Sequence, residues 1–183
     1  MAMARIRILN SWLGKLLILL FAVHGLAAGY MLADLTYISW VKPIGYAACG
    51  FLLVHGAFGV LLSWDAWRAG RGGKWYWREN AVFWLRRITG LAILVFLAFH
   101  FGAYGSMIGG RYQLREFTTW LYIAQMGLLL SCVLHVGVSV KGMLIADGVT
   151  RYDLWRNLFF LLLAVLLLAM AVGVTLYYIA WNE

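Results

Sequence analysis

Five long apolar runs, at about 12–33, 43–66, 81–107, 118–146 and 156–180, take up most of this 183-residue chain. A helix needs about 20 apolar residues to cross the hydrocarbon of a bilayer. Inside lipid, every backbone polar group must be satisfied within the protein, which favours helices. A single proline in the whole chain leaves those helices uninterrupted. Hydrophobic residues make up 64% and charged residues 12%, against roughly 45–50% and 25% in soluble domains. That balance excludes an ordinary soluble fold, a disordered tail and a nucleic-acid module, so nucleic acid is not an expected partner. The expectation is an all-α, integral membrane five-helix bundle, one transmembrane domain over residues 1–183 in contact with membrane lipid.

The first run follows Arg5 and Arg7, as a signal peptide would. Its apolar stretch, Leu16 to Leu32, is longer than a usual signal core and contains His24, so it reads as a mature helix. Lys and Arg in the connections set the orientation. The N-terminus and the 67–87 and 141–156 connections hold twelve: Arg5, Arg7, Lys15, Arg68, Arg71, Lys74, Arg78, Arg86, Arg87, Lys141, Arg151 and Arg156. The 34–42 and 108–117 connections hold three: Lys42, Arg111 and Arg115. The N-terminus is therefore expected inside and Glu183 outside, in a multi-pass cytoplasmic membrane protein of bacterial or archaeal type. The 67–80 loop, rich in Gly, Arg and Trp, falls on the inner face. It serves topology alone or also docks a soluble partner. Cys49 and Cys132 sit inside apolar stretches and read as packing residues.

The chain has four histidines, His24, His55, His100 and His135, one in each of the first four runs. An ionisable side chain inside a bilayer is costly and usually functional. One such histidine could be a helix–helix hydrogen bond, whereas four on four helices, with no carboxylate or lysine at mid-depth, are hard to treat as packing. A proton relay wants carboxylates in series, and the acidic residues all lie near run ends or in loops. Zinc or copper wants converging ligands. Haem iron takes one axial imidazole from each side, and the flat macrocycle fits between helices. The set therefore points to two bis-histidine haem b groups; the c-type attachment motif is absent. At about 1.5 Å per residue, counting from the nearest charges puts His55 and His135 nearer the inner face and His24 and His100 nearer the outer. Gly25 and Gly29 follow His24, Gly56 and Gly59 follow His55, and Gly137 follows His135. Such glycines let a ligand approach the backbone or serve as small-residue helix contacts.

The stretch 80–100, NAVFWLRRITGLAILVFLAFH, resembles the third helix of the cytochrome b membrane anchor of succinate:quinone oxidoreductases, in the five-helix, single-subunit, two-haem type. Its core is Arg87-Ile88-Thr89-Gly90, with His100 ten residues after the glycine. The first helix is similar too, with Arg7, Ser11, Gly14 and then His24, as are His55 with Gly59 and the His135-Val136-Gly137 run. The resemblance implies axial pairs His24 with His100 (outer haem) and His55 with His135 (inner haem). It further implies an iron–sulfur subunit and a flavoprotein subunit as partners, with succinate oxidation or fumarate reduction on the flavoprotein, and a membrane quinone, menaquinone, as the other substrate. The chain itself has no Gly-rich dinucleotide fingerprint. It departs from some fumarate reductases of that family in one respect. They carry a Glu just before the fourth-helix histidine, where this chain reads Leu130-Ser131-Cys132-Val133-Leu134-His135.

A quinone site needs an apolar slot, a donor to a carbonyl oxygen and a proton acceptor. Near the expected outer ends of the first three helices the candidates are Asp34, Tyr30, Tyr37, Lys42, Tyr46 and Tyr104, of which the tyrosines would equally suit an interfacial aromatic belt. Haem propionates want Ser, Arg or Lys, and Ser11, Arg86, Arg87 and Lys141 lie at suitable heights for the inner haem. Two competitors remain: the haem b anchor of a hydrogenase, formate dehydrogenase or nitrate reductase, and a transporter or scaffold whose histidines bind no haem.

Overall fold

The computed structural model describes residues 2–69, 80–109, 111–113, 115–149 and 151–183. Most of the 67–80 loop, with Arg71, Lys74 and Arg78, lies outside the described residues. Among those described there are five long helices: α1 (Ala2–Ala33), α2 (Val41–Ala69), α3 (Ala81–His100), α4 (Thr119–Ala146) and α5 (Tyr152–Asn182). All five are long and apolar enough to cross a membrane, so the chain is a multi-pass, all-helical membrane protein. A small antiparallel hairpin, β1 (Ser106–Ile108) with β2 (Arg111–Gln113), lies between α3 and α4.

The helix ends follow local chemistry. After α1, the Thr36 N–H donates to the Met31 carbonyl at 3.1 Å across Leu35, which adopts φ 52°. This is a Schellman closure with leucine where glycine is usual, at about 1–2 kcal/mol of backbone strain. Pro43 sits in the first turn of α2, where its missing N–H leaves no helical bond unmade. The third apolar run was expected to stay helical to 107, but α3 stops at His100. Gly102 turns the chain at φ 74°, and the Arg115 guanidinium donates to its carbonyl at 2.7 Å. Ala103 and Tyr104 then pack as core rather than as helix. His100 is thus at a helix end, not deep within a run. At α4, the Thr118 hydroxyl accepts from the Leu121 N–H at 3.3 Å, and Gly148 at φ 70° closes the other end.

The chain divides into two compact units. The first comprises Met1–His24 and Ser39–Ala81. In it the start of α1 runs antiparallel to α2: Arg7 meets Asp65 at 3.7 Å, Gly14 faces His55, and His24 reaches Val41 and Gly45. The second comprises Gly25–Ile38 and Val82–Glu183. Its core gathers Leu32, Ala103, Phe117, Val174 and Tyr177. On α5 the buried residues Leu163, Leu166, Met170, Val174 and Tyr177 recur every three to four positions and form one stripe. Leu161, Leu162, Val165 and Leu168 are exposed, an apolar surface suited to lipid. Helices in lipid associate through close packing rather than apolar burial, and here Gly173 of α5 rests directly on the backbone of Gly29 of α1.

Candidate functional site

The four histidines occupy α1, α2, α3 and α4, each half-buried. Within the first unit, His24 Nδ1 lies 3.0 Å from the Val41 carbonyl oxygen. A carbonyl only accepts, so Nδ1 carries the proton. Gly45 makes the fit possible, because a Cβ there would stand 2.8 Å from His24 Cε1. His55 lies near the backbone of Asn10 and packs beside Gly14, where a Cβ would come within 3.5 Å of its Cε1.

Within the second unit, His135 Nδ1 lies 3.1 Å from the Arg86 carbonyl and 3.1 Å from Thr89 Oγ1. The Thr89 hydroxyl donates to the Leu85 carbonyl at 2.7 Å, which leaves its oxygen lone pairs for the imidazole. His135 Nδ1–H is therefore shared between two acceptors on one turn of α3. Gly90 completes the cradle, with a Cβ there meeting the imidazole at 3.4 Å. The Arg-Ile-Thr-Gly motif noted in the sequence thus serves His135 on the neighbouring helix. His100 Nδ1 lies 2.7 Å from Oε1 of Gln125, which is 2% exposed.

The same tautomer follows for His24, His100 and His135: proton on Nδ1, lone pair on Nε2. A metal-ligating histidine commonly donates its other ring N–H to a carbonyl in this way, which orients the ring and raises its basicity. A neutral imidazole with its lone pair on Nε2 is the form a metal can take up. Among the described residues no three His, Cys, Asp or Glu side chains converge as a site for a bare metal ion.

The expected anion-binding residues separate. The Arg86 guanidinium donates twice to the Val138 carbonyl, at 3.2 and 3.0 Å, and so clamps α3 to α4. Arg87 donates from Nη1 to the Phe83 carbonyl at 2.9 Å and lies over the Phe83 ring, but its Nε is buried with no hydrogen-bond partner. A buried charged donor left unmade is costly, and a carboxylate would satisfy it. Ser11 is half-buried on α1, and Lys141 is exposed on α4.

The quinone candidates are divided between the two units. The Tyr30 hydroxyl donates to the Asp34 carboxylate at 3.5 Å, a long contact between two exposed side chains. Tyr37 is exposed. Tyr104 stacks on Phe117 at 5.4 Å and meets the His100 ring edge-on at 5.6 Å, so it is first of all a core residue. Lys42 (half-buried) and Tyr46 (exposed) belong to the first unit, near the start of α2.

The glycines split as well. Gly25 and Gly29 abut Met170 of α5, and Gly137 abuts Phe160, so these three are helix-packing residues. Beside Gly56 and Gly59 there is open space. Sequence reasoning missed Gly45 and Gln125. Gln125 had a signal, as a carboxamide within the fourth apolar run. Gly45 becomes visible only once α1 and α2 are aligned antiparallel. Compared with known protein families, curated proteins and solved structures, the chain matches none.

Proposed function

We propose that this chain is the dihaem cytochrome b membrane anchor of a succinate:quinone oxidoreductase, a succinate dehydrogenase or fumarate reductase, in a cytoplasmic membrane. The observation that carries this reading is the shared tautomer of three histidines on the long helices, each set by a carbonyl oxygen beside its Nδ1. The resemblance around Arg87–His100 selects the family. His24 with His100, and His55 with His135, would hold two haem b groups. Haem b bound there would supply a one-electron carrier.

The protein's own residues have distinct tasks. Arg86, Thr89 and Gly90 orient His135 and exclude other groups from its Nδ1 edge. Val41 and Gly45 do the same for His24. Arg87, with Ser11 and Lys141, holds propionate carboxylates. Asp34 takes up or releases the proton that accompanies quinone turnover, with Tyr30 as its hydrogen-bonding neighbour. The N-terminus faces the inside, and the 67–80 segment contacts an iron–sulfur subunit, which in turn joins a flavoprotein that carries the dicarboxylate chemistry.

Affinity purification of the full chain from its native membrane tests the assignment. A copurifying flavoprotein and iron–sulfur protein, with succinate reducing the preparation's cytochrome b bands, are expected. Copurification of hydrogenase, formate dehydrogenase or nitrate reductase subunits would replace this family by the competing one. Crosslinks to the iron–sulfur protein are expected from Lys74; crosslinks confined to Lys42 would reverse the orientation.

A further inference from the structure

We infer that Gln125 is the positioning residue that selects the ligating tautomer of His100. The acceptors beside His24 and His135 include backbone carbonyls, of Val41 and Arg86, which no side-chain change removes. His100 differs: its acceptor is a side-chain carboxamide, Oε1 of Gln125 at 2.7 Å. Gln125 is 2% exposed, within α4, and its Nε2 is buried without a hydrogen-bond partner. A buried amide can present either end to a neighbour. With Oε1 toward the ring, His100 keeps its proton on Nδ1 and its lone pair on Nε2. With Nε2 toward the ring, the amide donates to Nδ1, and the imidazole proton moves to Nε2, where it blocks coordination. The orientation of one amide therefore decides whether His100 can bind iron. Leaving a carboxamide donor unmade in an apolar interior carries a penalty, which a methionine of similar length would avoid. That is the physical sign that Oε1 has a task there. The second consequence is electronic. An Nδ1–H···O bond makes the imidazole a stronger donor to a metal, which favours the oxidised state.

Two measurements on the full chain test this, and only the second rests on the haem assignment. First, ¹⁵N-histidine NMR of the chain in bilayers, produced without haem supply, reads the His100 tautomer, identified by its loss in His100→Gln. The wild type is expected as Nδ1–H. Gln125→Met should shift the ratio toward Nε2–H by about five- to tenfold, the worth of one hydrogen bond. Gln125→Glu, which keeps an oxygen at that place, should restore Nδ1–H. A wild-type His100 protonated on Nε2, or an unchanged ratio in Gln125→Met, overturns the inference. If Gln125→Met does not fold, the wild-type tautomer and its retention in Gln125→Glu decide it. Second, in the haem-loaded protein, the midpoint potential of the component that disappears on replacing His100 should rise in Gln125→Met and fall in Gln125→Glu, with the other component unmoved. Equal potentials in all three proteins overturn the inference. Absence of haem from the wild type refutes the proposed function instead, and leaves the tautomer measurement to judge Gln125 alone.

Discussion

Replacing Gly173 by alanine isolates what holds α5 against α1 in the second unit. A Cβ at Gly173 would stand 2.7 Å from Gly29 Cα and 2.8 Å from its carbonyl carbon, backbone atoms that cannot rotate away. The Gly29 carbonyl oxygen would lie nearer still, so restoring ordinary contact at about 3.4 Å moves the two backbones apart by at least about 0.7 Å. A gap of that size forfeits about a quarter to a half of each neighbouring van der Waals well, and overpacking of this kind costs about 1–3 kcal/mol. Alanine also improves on glycine within a helix by about 1 kcal/mol, so the net loss is about 0–2 kcal/mol. Gly25→Ala is the matched control. It carries the same helix gain, and its Cβ would meet the end of the Met170 side chain, which is buried but can change rotamer at less cost than a backbone can shift. The difference between the two variants removes the helix term and should be about 1–3 kcal/mol, Gly173→Ala being the weaker. Equilibrium unfolding of both in the same micelles measures it. A Gly173→Ala protein as stable as Gly25→Ala would refute the close backbone contact.

Arg86 and Arg87 should behave differently despite adjacency. Arg86→Leu removes the clamp on the Val138 carbonyl and should lower stability by about 1.5–3 kcal/mol, the worth of a hydrogen bond from a charged group, as read by the same unfolding assay. Arg87→Leu loses a hydrogen bond and a ring contact to Phe83 but relieves the buried, partnerless Nε, so it should lower stability by less than Arg86→Leu and speed loss of haem to apomyoglobin. Gly90→Val should press on the His135 ring and lower haem content, whereas Thr89→Val, which leaves the Arg86 carbonyl in place, should keep haem bound and alter only the His135-dependent spectral component. Asp34→Asn should slow quinone turnover while the cytochrome b spectrum stays normal; unimpaired turnover removes Asp34 from the site.

Apolar run length alone located all five helices, because a spanning helix must be long and apolar whatever it packs against. It started the first helix at 12 rather than at Ala2, and it misplaced the end of α3, since Phe101, Ala103 and Tyr104 are as apolar as a helix interior. Only the left-handed turn at Gly102 and the aromatic cluster of Tyr104, Phe117 and Tyr177 separate core from helix there. The histidines stood out as rare ionisable side chains, and their distribution over α1 to α4 is as expected. Their acceptors were not legible. Backbone carbonyls such as those of Val41 and Arg86 have no signature in sequence, and Gln125 acquires meaning only when α4 lies beside the end of α3. The glycines near the histidines were ambiguous for the same reason, because close approach to a ligand and close approach to Met170 make the same demand of a sequence.

Haem stoichiometry of the purified chain, by pyridine haemochrome assay against amino-acid analysis, tests the central claim most directly. Two haem b per chain are expected, with single replacement of His24, His55, His100 or His135 each removing one. A haem-saturated preparation that holds one or none, or that keeps two after a histidine is lost, would contradict the account.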